Sequence, residues 1–458
     1  MKLCRRAIEM VQVVDEEGTV RLCSWQKDGG IIGRLTDNSM EEIYNSKAAQ
    51  LIRERHLNRD YSNCNPNACP FVAGDNVEEN FIEIEEIPKL PYSLYLAYDN
   101  VCNYHCVMCT IPDCMKGKDA DEREKKLNKI DNELLKVLPY VKEISAHGLG
   151  ELFVSKHILK LLSEWKPVAP AEECSVSLET NGSLFNEKNW SQISNLGKYH
   201  LSVAITVLSF EEDVYQELSG TTLPVSNIIQ NLHFAKSLKE QGIIDYLEIA
   251  TVYQEKNFRQ LPEFARRCLD EFSADYVRLR PFEPWSDPDM KDWFKDVRNE
   301  YHPYHKEFLE VMKNPVFKHP KVHDWGRGKV SGLGPEPYVR LRTQYHLIER
   351  IFSDDFEQKV AGYIKTRQVS VYGLTVVGKA LTSALSNFYE IPFCIDRDRN
   401  GMQLNGIPIY SPGHLEGLDK NVPVIVAMDR YEDYIVELLN KEGFQTVFSL
   451  KELSSLTV

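Results

Sequence analysis

The side chains with the most chemistry to offer in this chain of 458 residues are its eleven cysteines, seven of which fall within the first 109 residues. They come in three groups: Cys4 with Cys23, Cys64 with Cys69, and Cys102 with Cys106 and Cys109. The last group has the spacing C-x3-C-x2-C directly after a strand-like run. Three thiolates on one short loop can hold three irons of a [4Fe-4S] cluster, because iron–sulfur sites are thiolate-ligated and such a loop can wrap one face of the cube. The fourth iron is then left open, as a reactive centre requires, whereas a structural zinc is closed by four ligands. Cys114 is the residue that would close this loop as a zinc site, although zinc ligands usually come as two C-x2-C pairs.

The elements that must position these cysteines are legible in the patterning. A Pro-containing break over 84–91 precedes the alternating run 93–98. Strand-like runs at 141–146, 175–178, 201–207, 247–252 and 276–279 then alternate with amphipathic helical stretches. That alternation predicts an α/β fold with a parallel sheet covered by helices. Residues from about 293 to 363 read as linking helices and loops, and a new strand at 369–372 restarts βα units. The chain therefore divides into segments 1–88, 89–290, 291–365 and 366–458, in line with a length that implies about three domains.

Composition narrows the class. Hydrophobic residues at 43% and charged residues at 27% exclude a disordered or fibrous chain. No apolar run approaches the roughly 18 residues of a membrane span, and the first residues, Met1 to Arg6, lack the apolar stretch of a signal peptide. The expected location is the cytoplasm, where thiols stay reduced and available for metals. A net charge of -14 argues against nucleic acid or anionic membrane as partner.

The C-x3-C-x2-C loop after the first core strand resembles that of the radical S-adenosylmethionine (radical SAM) enzymes, and further segments follow in that family's order. Gly148-Leu149-Gly150-Glu151 is similar to its G-x-G-E segment. There the resemblance implies that Gly148, Gly150 and Glu151 engage the ammonium of S-adenosylmethionine, as glycines allow close backbone approach and a carboxylate pairs with a cation. Glu179-Thr180-Asn181-Gly182 resembles the third-strand turn near the ribose, giving Glu179 and Asn181 as cofactor residues. Asp213-Val214-Tyr215-Gln216-Glu217-Leu218-Ser219-Gly220 matches an E-x-Y-x-x-[LI]-x-G run. Arg278 and Arg280, on the sixth strand, would meet a carboxylate of cofactor or substrate, or else form structural pairs, since a buried arginine needs an anionic partner. The resemblance implies a partial (β/α)6 TIM-like barrel. It also implies that Cys102, Cys106 and Cys109 carry a cluster whose electron cleaves S-adenosylmethionine to a 5'-deoxyadenosyl radical, with a reducing flavodoxin or ferredoxin as electron donor.

The segment from Cys4 through Gly18-Thr19-Val20-Arg21-Leu22-Cys23 to Cys64-Asn65-Pro66-Asn67-Ala68-Cys69 resembles the auxiliary-cluster modules called SPASM or twitch domains. It implies a small cysteine-rich α+β module, a hairpin and a helix, holding a second [4Fe-4S] cluster; the same four ligands would also suit zinc. In the family this module follows the barrel, whereas here it precedes it. At the other end, Tyr372-Gly373-Leu374-Thr375-Val376-Val377-Gly378 followed by Ile395-Asp396 reads as a Rossmann-like start. Thr375 replaces the glycine that lets backbone approach a pyrophosphate, so docking is favoured over dinucleotide binding. Similar tails occur on sugar-modifying enzymes.

The leading expectation is a radical SAM oxidoreductase or mutase acting on a sugar, sugar nucleotide or glycan-linked small molecule. A peptide maturase of the SPASM class is the second enzyme reading, and a noncatalytic iron–sulfur or zinc scaffold the third.

Overall fold

The computed structural model describes residues 1–65, 69–74, 77–109, 119–146, 149–283, 292, 295–326, 344, 347–428 and 432–449. It separates into two compact units, Met1–Gly332 and Leu333–Val458.

The first unit is built on one sheet of ten strands. Strands β1 (Lys2–Cys4) and β5 (Phe81–Glu83) form a separate antiparallel pair. The large sheet takes β2 (Met10–Val13), β3 (Thr19–Arg21) and β4 (Ile31–Arg34) from the amino-terminal segment, and β6 (Ser93–Leu96) through β12 (Val322–Asp324) from the rest. Between these lie β7 (Glu143–Ala146), β8 (Ser175–Thr180), β9 (His200–Thr206), β10 (Tyr246–Tyr253) and β11 (Tyr276–Pro281). The order is β12-β11-β10-β9-β8-β7-β6-β2-β3-β4, with β12 and β4 at the edges. All pairings from β6 to β12 are parallel, as the strand–helix alternation predicts. The helices bury one stripe against the sheet: Lys156–Glu164, for example, covers His157, Ile158, Leu159, Leu161 and Leu162 and is capped by the Ser155 hydroxyl.

The sequence break near residue 88 does not interrupt this sheet. β2 pairs in parallel with β6, Met10 opposite Ser93 and Val13 opposite Leu96, so the amino-terminal hairpin continues the core sheet at its first-strand edge. Buried Val11, Val13, Val20 and Ile43 accordingly share one hydrophobic core with Leu94, Leu96 and Ile144. The stretch 291–365 is likewise divided: β12 joins the first unit's sheet, while Leu347, Ile351, Val360 and Ile364 pack into the core of the second.

The second unit has the Rossmann-like layout expected. Strands β13 (Ser370–Tyr372), β14 (Cys394–Ile395), β15 (Gln403–Leu404), β16 (Ile407–Tyr410), β17 (Val424–Val426) and β18 (Val447–Ser449) are ordered β15-β16-β14-β13-β17-β18, parallel except for β15. Thr375 caps the helix Val376–Leu385 by accepting the Gly378 N–H. The Asp396 carboxylate folds back to accept the Leu374 N–H at 2.8 Å and to pair with Arg399 at 3.0 Å. Asp396 thus braces the glycine turn. Among the described residues, no helix is long and apolar enough to cross a membrane.

Candidate functional site

Chain leaving β6 runs through Ala97–Val101 into the loop Cys102–Cys109, beyond the carboxy-terminal ends of the parallel strands, where open α/β sheets place their ligands. Inside the loop the Tyr104 N–H donates to the Cys102 sulfur at 3.4 Å, and the Cys109 N–H to the Cys106 carbonyl at 2.9 Å.

Three segments singled out in the sequence grip this loop from outside. Gly150 lies so close to it that a Cβ would come within 2.7 Å of the Val101 carbonyl oxygen, and the Glu151 N–H donates to that same oxygen at 2.7 Å. The third-strand turn contributes Asn181, whose amide donates to the Asn103 side chain at 2.9 Å, while Asn103 donates to the Ser183 hydroxyl at 2.9 Å. From the helix Glu212–Ser219, the carbonyls of Ser219 and Leu218 accept the N–H groups of His105 and Val107 at 2.9 and 3.0 Å. Gly220 closes that helix in the left-handed conformation with its Cα against the His105 carbonyl, and the Tyr215 and Tyr104 hydroxyls are hydrogen-bonded.

The thiols feel one another. Burial, and then the neighbouring Cys102 and Cys109, push the Cys106 thiol up to about 12; burial also raises Cys102. Thiolates gathered this way require a cation, which fits the chemistry of a thiolate-bound cluster. Cys106 and Cys109 border a cavity of about 370 Å³ that is also lined by Asn181, Thr206, Val252 and Arg280, from the ends of β8 to β11.

The remaining expected residues divide. Gly148 and Cys114 lie outside the described residues. Glu151 is not aimed at the cavity: its buried carboxylate accepts the Thr180 hydroxyl at 2.6 Å, the Asn181 N–H at 2.7 Å and the Phe153 N–H at 3.2 Å. Burial raises its pKa against the lowering effect of those three bonds. Glu179 pairs with Arg278 at 3.2 Å, and Arg278 also pairs with Glu248. Arg278 is therefore held structurally, while Arg280, two residues on and on the same face, lines the cavity. Asn103, Tyr104 and Ser183 were not singled out from sequence. Tyr104 sits between the first two cysteines of the motif, the one signal that could have marked it.

Cys4, Cys23 and the closely spaced Cys64 and Cys69 come from three separate stretches of the chain and line one cavity with Arg6, Trp25, His56 and Asn80. Burial and then Cys69, Cys23 and Cys4 raise the Cys64 thiol to about 11. Four convergent thiols fit a cluster or metal closed by protein ligands. The four thiols share one cavity wall, but among the described residues no group of three or more His, Cys, Asp or Glu is drawn tightly enough to hold a single metal ion, so the fit to a cluster rests on ligand type and number. Residues 4–70 match the family model of SPASM, an iron–sulfur cluster-binding domain.

The match spans all four cysteines, and it is the module expected there. The topology fixes where the SPASM segment's thiols lie. Cys4 precedes β2, and Cys23 follows β3, which runs antiparallel to β2 with Arg21 opposite Gln12 and so carries the chain back toward the start of β2 and β6. The SPASM thiols therefore sit at the amino-terminal end of the parallel strands, opposite the cavity. No protein of curated function matches the chain in sequence. Among solved structures, Streptococcus suis SuiB bound to S-adenosylmethionine is similar over 71% of this chain and 71% of its own, at 12% identity and a TM-score of 0.32. Methylornithine synthase (PylB) is similar over 80% and 85%, at 12% identity and 0.33. The radical S-adenosylmethionine methyltransferase TsrM from Kitasatospora setae is similar over 41% of this chain and 34% of its own, at 17% identity and 0.29.

Proposed function

We propose that the chain is a radical SAM enzyme with one auxiliary cluster, its reaction centre the cavity bordered by Cys106 and Cys109. The observation that carries this reading is the C-x3-C-x2-C loop set at the strand ends and gripped by Gly150–Glu151, Asn181 and Leu218–Gly220 at once. Cys102, Cys106 and Cys109 would hold the reactive cluster, and Cys4, Cys23, Cys64 and Cys69 the auxiliary one. When bound, the first cluster and S-adenosylmethionine supply the electron and the radical fragment that removes an unreactive hydrogen.

The chain's own part is binding and enclosure. Tyr104, Leu208, Tyr215, Val252 and Phe282 make the cavity wall largely apolar and keep water from a reactive species. Arg280 offers a cation to a carboxylate or phosphate, and Asn181 offers its amide from the third-strand turn. Glu151 and Arg278 act one step back, the first fixing the turn that carries Asn181, the second fixing the inner face beneath Arg280.

For the substrate, the Rossmann-like unit supports a sugar, sugar nucleotide or glycan-linked molecule, that unit serving for docking because Asp396 is engaged by Leu374 and Arg399. The SPASM match supports peptide maturation as the second reading. A reduced flavodoxin or ferredoxin would be the electron donor.

Anaerobic reconstitution tests the proposal. The full chain should take up about eight irons in two clusters, and, once reduced, convert S-adenosylmethionine to 5'-deoxyadenosine. Replacing Cys102, Cys106 and Cys109 by Ala should halve the iron and abolish that product. A fully iron-loaded chain that never forms 5'-deoxyadenosine would overturn the enzyme reading in favour of a scaffold. Zinc in place of the second cluster would overturn the auxiliary assignment.

A further inference from the structure

Two side chains that are not cysteines address the sulfurs of the four-thiol cavity. The Asn80 amide donates to the Cys4 sulfur at 3.4 Å. The His56 Nε2 lies 3.8 Å from the Cys64 sulfur, and His56 is only 6% exposed. Its other ring nitrogen, Nδ1, is buried with no hydrogen-bond partner among the described residues, so the sulfur is the polar group this imidazole serves. A proton on Nε2 makes it a donor to that sulfur.

Neither contact has an evident structural purpose of its own. A buried imidazole with an orphaned nitrogen costs stability that an aromatic hydrocarbon of similar size would not. Nearby, the Arg6 guanidinium stacks on Trp25 at 3.7 Å and puts a cation on the cavity wall. The rest of the lining includes Phe71, Val72 and Val77, so the sulfurs meet these donors against a mostly apolar wall. In such surroundings, hydrogen bonds to ligating sulfur stabilise the more negative, reduced form of a cluster and so raise its potential.

We propose that Asn80 and His56 are positioning donors that raise the reduction potential of the amino-terminal cluster through the Cys4 and Cys64 sulfurs. This rests on the auxiliary-cluster reading above. It needs no contact with the substrate cavity, which lies at the other end of the strands.

The test uses the full chain carrying Cys102→Ala, Cys106→Ala and Cys109→Ala, reconstituted anaerobically so that only the amino-terminal site is loaded. Its midpoint potential is read by EPR-monitored titration, alone and with Asn80→Leu, His56→Phe or both. Each single substitution should lower the midpoint and the pair should lower it further, whereas His56→Gln, which keeps a donor, should restore most of the loss. An unchanged midpoint in variants holding full iron would overturn the inference while leaving the cluster assignment standing. Should the variants fail to load, resonance Raman spectra of the parent in H2O and D2O decide. Iron–sulfur stretching bands that shift on deuteration support the donors, and bands that do not shift overturn them. Zinc in the parent would instead end the auxiliary-cluster reading, and this inference with it.

Discussion

The backbone N–H of Asn181 donates to the carboxylate of Glu151 at 2.7 Å, tying the turn after β8 to the turn after β7. Asn181 in turn reaches Asn103, so one carboxylate with no exposed surface to speak of organises both the cavity wall and the cysteine loop. Glu151→Ala would leave the Thr180 hydroxyl and the N–H groups of Asn181 and Phe153 without their acceptor. The expected loss is about 3 to 6 kcal/mol of stability, at roughly 1 to 2 kcal/mol for each of three unsatisfied groups, measured by denaturant unfolding without S-adenosylmethionine. Unaltered stability together with weakened S-adenosylmethionine binding would instead make Glu151 a cofactor ligand.

Gly150 and Gly220 have φ of +141° and +62° and each touches the cysteine loop's backbone. Alanine at either position meets a carbonyl oxygen, that of Val101 or of His105, with no flexible side chain to move aside. Gly150→Ala and Gly220→Ala should therefore load about half the iron of the unsubstituted chain, losing the reactive cluster alone. Iron and sulfide analysis after reconstitution checks this.

The metal-free thiols should be sluggish nucleophiles. With Cys106 held at about 12 and Cys64 at about 11, both are almost wholly protonated at pH 8. Alkylation by iodoacetamide, followed residue by residue by mass spectrometry, should be far slower at these two positions than for free cysteine and should accelerate as pH rises from 7 to 9.5. Cluster assembly, which releases those protons, should accelerate over the same range. Labelling at the rate of free cysteine would contradict the burial that raises them.

Behind the sheet, His157 bonds Asp131 at 2.9 Å and Glu124 at 3.2 Å, and Asp131 also accepts the Tyr98 hydroxyl at 2.7 Å. Burial pushes the His157 pKa down, but Asp131, Glu124 and Asp99 outweigh it and the net direction is up. A histidine raised on folding stabilises fully below its unfolded value and loses that contribution as pH rises through the folded one. The melting temperature should therefore fall between pH 6 and pH 8.5, and His157→Gln should flatten that slope. Glu124, held down to about 2 by Lys156 and His157, contributes above the ordinary carboxylate range and loses that contribution progressively as pH falls toward about 2.

The units should separate at residue 332 and not at 363. Leu347, Ile351, Val360 and Ile364 belong to the core built around Val369, Val371 and Leu381. A chain ending at Gly332 should stay free of aggregate on gel filtration and load the full iron content. One ending at Tyr363 should aggregate through its uncovered apolar helices. Equal behaviour of the two would show that residues 347–363 fold without the second unit.

The sequence alone determined where the thiols gather along the chain and the order of the βα units. Both are local properties: three thiols on one loop are fixed by spacing, and the strands from 175 to 281 announce themselves by short strand-like apolar runs between helical stretches. Tertiary structure decided what each polar residue faces. Glu151 reads as a cofactor ligand in a four-residue motif, yet the partners that claim it come from β8 and the turn after it, some 30 residues away. Arg278 and Arg280 look equivalent in sequence, and only the tertiary contacts of β11 with side chains from β10 and the more distant β8 give one of them two carboxylates and leave the other at the cavity. The amino-terminal cysteines are the clearest case. Their spacing marks a cluster module, but strand pairing between Met10 and Ser93 is what sets that module into the core sheet with its thiols at the end away from the cavity. Pairing and register arise from contacts between distant segments, and no local periodicity encodes them.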